Sequence, residues 1–251
     1  MRQKPFFLCL KFFLVIVTKK TMCYNSFMEK SYKKIVDYVK NEIQAGKLKP
    51  GDKLMAEREL AEHLGMSRNS VREGLRLLEN IGVLNSHQGS GNYIDLNFNE
   101  TMTDVLSFMY LLKGIGLDQV TEYRLLIERD AMRLAVLRAT DQQKKDIMEQ
   151  LAGLEEAGSE EERVIFDKAI HKTLVEASHN DFLITNYEAL ANLMDRYIQS
   201  MRLNIIIGMQ SQNMLEHTHR MLAEAVAEGD YDKGIKGLET HFGYIEQFKN
   251  G

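Results

Sequence analysis

The spacing of apolar positions predicts helices along most of the chain. Ile35, Val36, Val39 and Ile43 recur three and four residues apart, the interval at which side chains share one helix face. Gly46 stops that helix, and "KLKPGDKL" supplies a Pro-Gly turn. "AERELAEHLG" is a short helix with Leu60 and Leu64 on one side and Gly65 at its end. Ser67 is an N-cap for the next helix, where Val71, Leu75 and Leu78 form an apolar stripe. The period then changes. Val83-Leu84 and Tyr93-Ile94 read as two short strands, with "QGSG" as the glycine turn between them. A helix, a helix-turn-helix and a hairpin, in that order, make a winged helix.

"DLNFNETMTD" is polar with few apolar anchors and reads as a short linker, placed at residues 98–102. Beyond it there is no proline. Helical patterns follow one another, broken at "KGIG", "RATDQQ", "EEAGSEEE", "ASHND" and "AEGDYD". None of these breaks opens into an alternating pattern. The expected fold class is therefore mainly α: an N-terminal winged helix-turn-helix over 28–97, plus a C-terminal all-α antiparallel helical bundle over 103–251.

Composition agrees with a globular helical chain. Of 251 residues, 44% are hydrophobic and 27% charged, with only 2 prolines and no tryptophan. A net charge of -4 excludes a grossly polybasic nucleic-acid binder but leaves room for a local basic patch. Cys9 and Cys23 are the only cysteines, so no disulfide framework supports the fold, which fits a reducing compartment. The first residues stand apart. Basic flanks surround an apolar run, Phe6 to Val17, that Lys11 interrupts and that is short for a membrane span. It resembles a signal-peptide core, yet no small-x-small cleavage site follows. Met28 opens the clean amphipathic pattern, so residues 1–27 are expected to be a start-site extension or a disordered tail.

The second helix of the helix-turn-helix carries DNA-reading chemistry in its first turns: Ser67, Arg68, Asn69, Ser70 and Arg72. Arginine suits guanine edges or phosphate, and asparagine can pair with adenine. Serine hydroxyls and helix N-terminal amides suit phosphate oxygens. The competing reading is a solvated helix start whose arginines pair with Glu73 or Glu79.

In the C-terminal half the histidines are the informative residues. Asp167 and His171 lie four apart in "FDKAIH", on one face of an amphipathic helix. His219 and His241 lie on successive helices separated by the Gly229-Asp230 turn, so an antiparallel hairpin can bring them side by side. One carboxylate and three imidazoles would suit zinc, nickel, manganese or another divalent ion. Spacing leaves the alternatives open: a surface ion pair at Asp167 and His171, and separate core or surface histidines at the other two. His217, His179 and His63 are read as having no such role. No Walker loop, Gly-x-Ser-x-Gly or Cys-x-x-Cys is present, and no general base or nucleophile accompanies the four candidate ligands, which weighs against a metal-dependent hydrolase.

Two stretches resemble a known family. "PGDKLMAERELAEHLGMSRNSVREGLRLLENIGVLNSHQGSGNYI" resembles the DNA-binding domain of the GntR family of bacterial transcription regulators. The resemblance implies DNA contacts from Arg58, Ser67, Arg68, Asn69, Ser70 and Arg72, with Gln88 and Gly89 in the wing. Met55-Ala56 stands where the family usually has Pro-Ser, and Asn69 and Ser70 where many members have two threonines, so the operator can differ. "EYRLLIERDAMRLAVLRAT", "FDKAIHKTLVEASHN" and "HRMLAEAVAEGDYDKGIKGLETH" resemble the FCD-type effector domain of the FadR subfamily. In its metal-binding members an Asp and three His hold one divalent ion, and these positions match Asp167, His171, His219 and His241. A small organic acid often completes the coordination, and Arg124 matches the arginine that commonly lines the cavity. Arg129 stands where many relatives have proline. The expected protein is a cytoplasmic, homodimeric, ligand-responsive regulator, more a repressor than an enzyme. It would bind a palindromic double-stranded operator, a divalent ion (zinc first) and a small carboxylate, with no membrane partner. The remaining alternatives are an ion that is structural and an ion that is itself the signal.

Overall fold

The computed structural model of the chain describes residues 32–209 and 213–248. The expected start-site extension at 1–27, with both cysteines, lies outside the described residues. The chain divides into two compact units, Met1–Thr101 and Met102–Gly251.

In the first unit, helix α1 (32–44) ends two residues before Gly46. Helices α2 (Glu57–Leu64) and α3 (Arg68–Asn80) follow, then strands β1 (Leu84–His87) and β2 (Gly91–Ile94). The tight turn between α2 and α3 depends on Gly65, whose φ of 61° is left-handed backbone that a side chain would resist. Its amide donates back to the Ala61 and Glu62 carbonyls, closing α2. Ile35, Val39, Leu54, Leu60, Val71, Leu75, Leu78, Leu84 and Ile94 are buried together as one core. The strands pair antiparallel with Leu84 opposite Ile94 and His87 opposite Gly91. Lys53 adds an isolated antiparallel bridge to Tyr93, a third chain segment on the hairpin that the sequence pattern does not announce.

The expected linker at 98–102 contains the division between the units, but it is helical rather than a loop. Helix α4 (Asn99–Lys113) begins inside it, and the division between the units falls within its first turn. Polarity misled the reading: Asn99, Glu100 and Thr101 suit a helix start as well as a loop, and the Thr101 hydroxyl donates to the Asn80 carbonyl.

The second unit continues with α5 (Leu117–Arg138), α6 (Asp141–Glu156), α7 (Glu160–Glu176), α8 (Asp181–Met209), α9 (Asn213–Glu228) and α10 (Tyr231–Phe248). The expected breaks are where these helices end. Thr140 and Ser159 cap α6 and α7 by accepting from the Gln143 and Glu162 amides. Asn180 accepts from the Phe182 and Leu183 amides at the start of α8. Gly229, at φ 76°, turns the chain from α9 into α10, and the two helices pack against each other. Helix α7 packs against α5, α6, α8 and α9 and so lies at the middle of the unit. Ile127, Met132, Ile147, Leu154, Ile170, Leu174, Met194, Leu215, Leu222 and Leu238 belong to its single apolar core. None of the helices among the described residues is long and apolar enough to cross a membrane.

Candidate metal centre and nucleic-acid interface

Within that core sits a polar cluster. Asp167 and His171 come from α7, His219 from α9 and His241 from α10. None is more than 3% exposed. The three imidazoles offer ligand nitrogens that lie within 4.8 Å of one another. Ring centroids are 4.8 Å apart for His171–His241 and His219–His241, and 5.3 Å for His171–His219. Asp167 joins them: its Oδ2 is 2.9 Å from His219 Nε2, and its Oδ1 is 3.8 Å from His171 Nε2. The structure thus brings together all four residues singled out as ligands. His217 and His179 are exposed and outside the cluster, and His63 is exposed in the first unit.

The outer nitrogens explain the orientation of the rings. His171 Nδ1 is 2.6 Å from Glu128 Oε2, and His219 Nδ1 is 2.9 Å from the Leu215 carbonyl. Both partners accept only, so each Nδ1 carries the proton and donates. Thr218 donates its hydroxyl to the Leu215 carbonyl and is 3.2 Å from His241 Nδ1, from which its oxygen accepts. All three rings therefore carry a proton on Nδ1 and turn Nε2 towards the other ligands. This is the outer support that holds metal-binding histidines. His171 Nε2 and His219 Nε2 are buried with no hydrogen-bond partner. A buried polar atom left unpaired costs about 1–3 kcal/mol. A neutral ring also sets the His219 lone pair against the Asp167 carboxylate, and only a proton or a cation between them makes that contact attractive. The donor set, the tautomers and the orphaned nitrogens fit a divalent ion.

Electrostatics keep the carboxylate charged. Burial works to raise the Asp167 pKa, but the surrounding positive charge, the Arg202 guanidinium included, outweighs it and holds the group well below the usual carboxylate range. Burial lowers His171 despite Glu128, and burial with the neighbouring rings lowers His241 well below an ordinary histidine. An ionised carboxylate and a neutral imidazole are the forms that ligate, and the shifts of Asp167, His171 and His241 favour them.

Two arginines flank the cluster. Arg124 of α5 donates from Nε to Glu128 Oε1 at 2.6 Å, and its guanidinium lies 5.4 Å from the Phe242 ring centre. Arg124 therefore steadies the acid that steadies His171. Arg202 of α8, 3% exposed, donates from Nε to Glu160 at 2.6 Å and from Nη1 to Asp167 Oδ2 at 2.5 Å. Sequence reasoning missed Glu128, Arg202 and Thr218. Glu128 had a signal, since it lies one turn after Arg124 on the same face. Arg202 had none inside the long helix α8. Arg129 is exposed, consistent with a solvated charge.

In the first unit, Ser67 caps α3: its Oγ accepts from the Ser70 amide at 3.1 Å and lies 2.9 Å from Ser70 Oγ. Arg68 and Asn69 are exposed in the first turn, and so are Gln88 and Gly89 at the tip of the wing. Arg72 is exposed but engaged, its Nε and Nη2 donating to the Glu57 carboxylate of α2 at 3.1–3.3 Å. Arg58 lies 3.9 Å from Glu62, and Arg76 pairs with Glu73. Ion pairs this exposed contribute little and yield easily to a phosphate. Ala56 holds the N-cap of α2 without a side-chain cap, although Glu59 still accepts from its amide.

Comparison with known proteins agrees with both halves. Residues 31–94 match the model of bacterial regulatory proteins of the gntR family, and residues 119–243 match the FCD domain. A putative L-lactate dehydrogenase operon regulatory protein of Escherichia coli (strain K12) is 30% identical over 219 residues, covering 84% of this chain and 83% of that protein. The chain belongs to the GntR family. The HTH-type transcriptional regulator LutR of Bacillus subtilis (strain 168) is 28% identical over 215 residues, spanning 83% of this chain and 96% of the relative. Among solved structures, Streptococcus agalactiae GntR shares the fold, with a TM-score of 0.60 and 21% identity over 86% of this chain and 99% of that one. This GntR-family chain is thus a DNA-binding transcriptional regulator with an FCD effector domain, and its relatives are transcriptional regulators.

Proposed function

We propose that this regulator is a homodimeric repressor whose helical unit holds a divalent ion, zinc first, with nickel or manganese as alternatives. Asp167, His171, His219 and His241 hold the ion, and with it the site receives a small carboxylate effector. The observation that carries this reading is the outward anchoring of all three Nδ1 atoms, which leaves buried Nε2 atoms of His171 and His219 unpartnered. A bound divalent ion supplies a Lewis-acidic point of attachment for a carboxylate oxygen. The chain's own residues orient the rings, exclude water and keep Asp167 charged. The description of one relative as an L-lactate dehydrogenase operon regulator makes small hydroxy acids the first effectors to try.

On the DNA side, Arg68, Asn69 and Arg72 would meet base edges or phosphate. Ser67, Ser70 and Arg58 would meet phosphate, with Gln88 and Gly89 at the wing. A homodimer matches a palindromic operator and works in the cytoplasm, where the chromosome is. Helix α4 supports the dimer. It has no buried residue, and it exposes Val105, Phe108, Leu111 and Leu112. A fifteen-residue helix with no fully buried residue is marginal by itself, and a second copy of the chain would cover this face. Effector binding would shift the populations of DNA-competent and incompetent arrangements.

The test is fluorescence anisotropy on an operator fragment, with zinc and L-lactate added separately and together. The reading expects DNA affinity to change with the pair and expects Asp167→Ala/His171→Ala to be indifferent to both. A second reading, an ion that is purely structural, draws on the near-complete burial of all four ligands, as in closed zinc sites. It expects chelation to lower the melting temperature while carboxylates do nothing.

A further inference from the structure

We infer that Lys53 is the phosphate-contacting cation of the wing, supplied by the segment before α2 because the hairpin has none of its own. The inference rests on the wing lying against DNA, as read above, and adds a residue that neither the recognition helix nor the hairpin contains. From Leu84 to Ile94 the hairpin carries no lysine and no arginine. Its tip offers Gln88 and Gly89, which can enter a groove but bring no charge to the phosphate backbone. The chain ahead of α2 supplies what is missing. It lies along β2 as a third segment of the ladder. The Leu54 amide donates to the Asn92 carbonyl at 2.8 Å, the Ile94 amide to that of Asp52 at 2.9 Å, and the Gly51 amide to that of Ile94 at 2.8 Å.

Side chains alternate between the two faces of such a ladder. Leu54, Leu84 and Ile94 enter the core, so Lys53, Tyr93 and His87 stand on the outer face. The Lys53 ammonium lies 5.9 Å from the centre of the Tyr93 ring. Tyr93 is itself held: its ring centre is 5.3 Å from that of His87, and its hydroxyl is 2.6 Å from Ser90 Oγ in the turn. The Lys53 chain also runs beside Gly91, which forms with His87 the last rung before the tip. A Cβ on Gly91 would stand 3.1 Å from Lys53 Cε, so the glycine makes room for the lysine to reach along the hairpin.

The charge is held in place without being neutralised. A ring face attracts an ammonium but leaves its full charge available. Other lysines differ: Lys47 pairs with Glu42, and Lys233 with Glu224 and Glu228. Lys53 makes no ion pair among the described residues. Asp52 and Asp95, the acids beside these segments, each turn an oxygen to a backbone amide, that of Lys49 and that of Leu96. A positioned cation beside an uncharged, glycine-containing tip is suited to a phosphate oxygen. Lys53 would therefore fix the register of the wing on the DNA backbone and take no part in reading bases.

The experiment is fluorescence anisotropy of the full chain on a labelled mixed-sequence DNA duplex over a series of salt concentrations. It compares wild type, Lys53→Met, Lys53→Arg and Gln88→Lys. Methionine keeps an unbranched chain beside Gly91 and Tyr93 but removes the charge. The expected result for Lys53→Met is weaker binding, with a salt slope (log affinity against log salt) smaller by about one for each chain bound. Lys53→Arg should keep the slope. Gln88→Lys tests the wing itself and should steepen the slope by about one per chain. If Gln88→Lys steepens the slope and Lys53→Met leaves it unchanged, the inference is overturned and the wing reading stands. An unchanged slope with a lower urea midpoint in Lys53→Met also overturns it, because Lys53 then only braces the hairpin. A slope lost in Lys53→Arg as well overturns it too, because charge is then not the cause. If neither Gln88→Lys nor Lys53→Met moves the slope, the wing does not meet DNA, and this inference falls with that reading.

Discussion

The two units handle charge in opposite ways. On the first turns of α3 and the wing, Arg68, Asn69, Arg72 and Gln88 are exposed, and where partners exist they are solvent-washed carboxylates such as Glu57. At the centre of the second unit, Asp167, Glu128, Arg124 and Arg202 are almost wholly buried and tied to one another at 2.5–2.6 Å. A surface that must take up a phosphate backbone needs charges that exchange partners cheaply. A site that must recognise one ion and one small anion needs charges already fixed, because reorganising them in an apolar core costs far more. The same residue types thus stand as exchangeable surface charges in one region and as fixed, buried ones in the other.

If that contrast is right, substitutions in the two regions should differ in kind as well as in size. The largest effect is expected of Asp167→Ala combined with His171→Ala, which should abolish bound metal in plasma emission analysis of the purified protein. Glu128→Gln comes next. It keeps the shape but weakens the grip on His171 Nδ1, and zinc affinity should fall about 10–100-fold in a competition titration with a chromophoric chelator. Arg68→Ala should weaken operator binding by about 1–3 kcal/mol in an anisotropy titration, yet leave zinc content untouched. A change in zinc content there would break the comparison. The smallest effect is Ala56→Ser, which supplies the missing side-chain cap of α2. It should raise the stability of the winged unit by about 0.5–1 kcal/mol in urea denaturation.

What was legible in the amino-acid pattern follows the same division. The winged helix was readable almost throughout, because Ser67 as a cap, the left-handed Gly65 and the stripe Val71, Leu75 and Leu78 are all local signals. The four metal candidates were half legible. The i,i+4 pair on α7 and the hairpin of α9 and α10 could be seen, but spacing alone did not distinguish a cluster from scattered histidines. What decides it is burial and the outer partners, and those arise from contacts between distant elements: Glu128 with His171 across 43 positions, and Arg202 with Asp167 across 35. The helical start of α4 was not legible because a polar helix start and a polar linker share their composition, and only the helical hydrogen bonding tells them apart.

The most direct test of the central claim is calorimetric titration of zinc into chelator-treated full-length protein. The account predicts saturable binding of about one ion per chain, lost in Asp167→Ala/His171→Ala and weakened in Glu128→Gln. No binding by the wild type, or equal binding by the double variant, would contradict it.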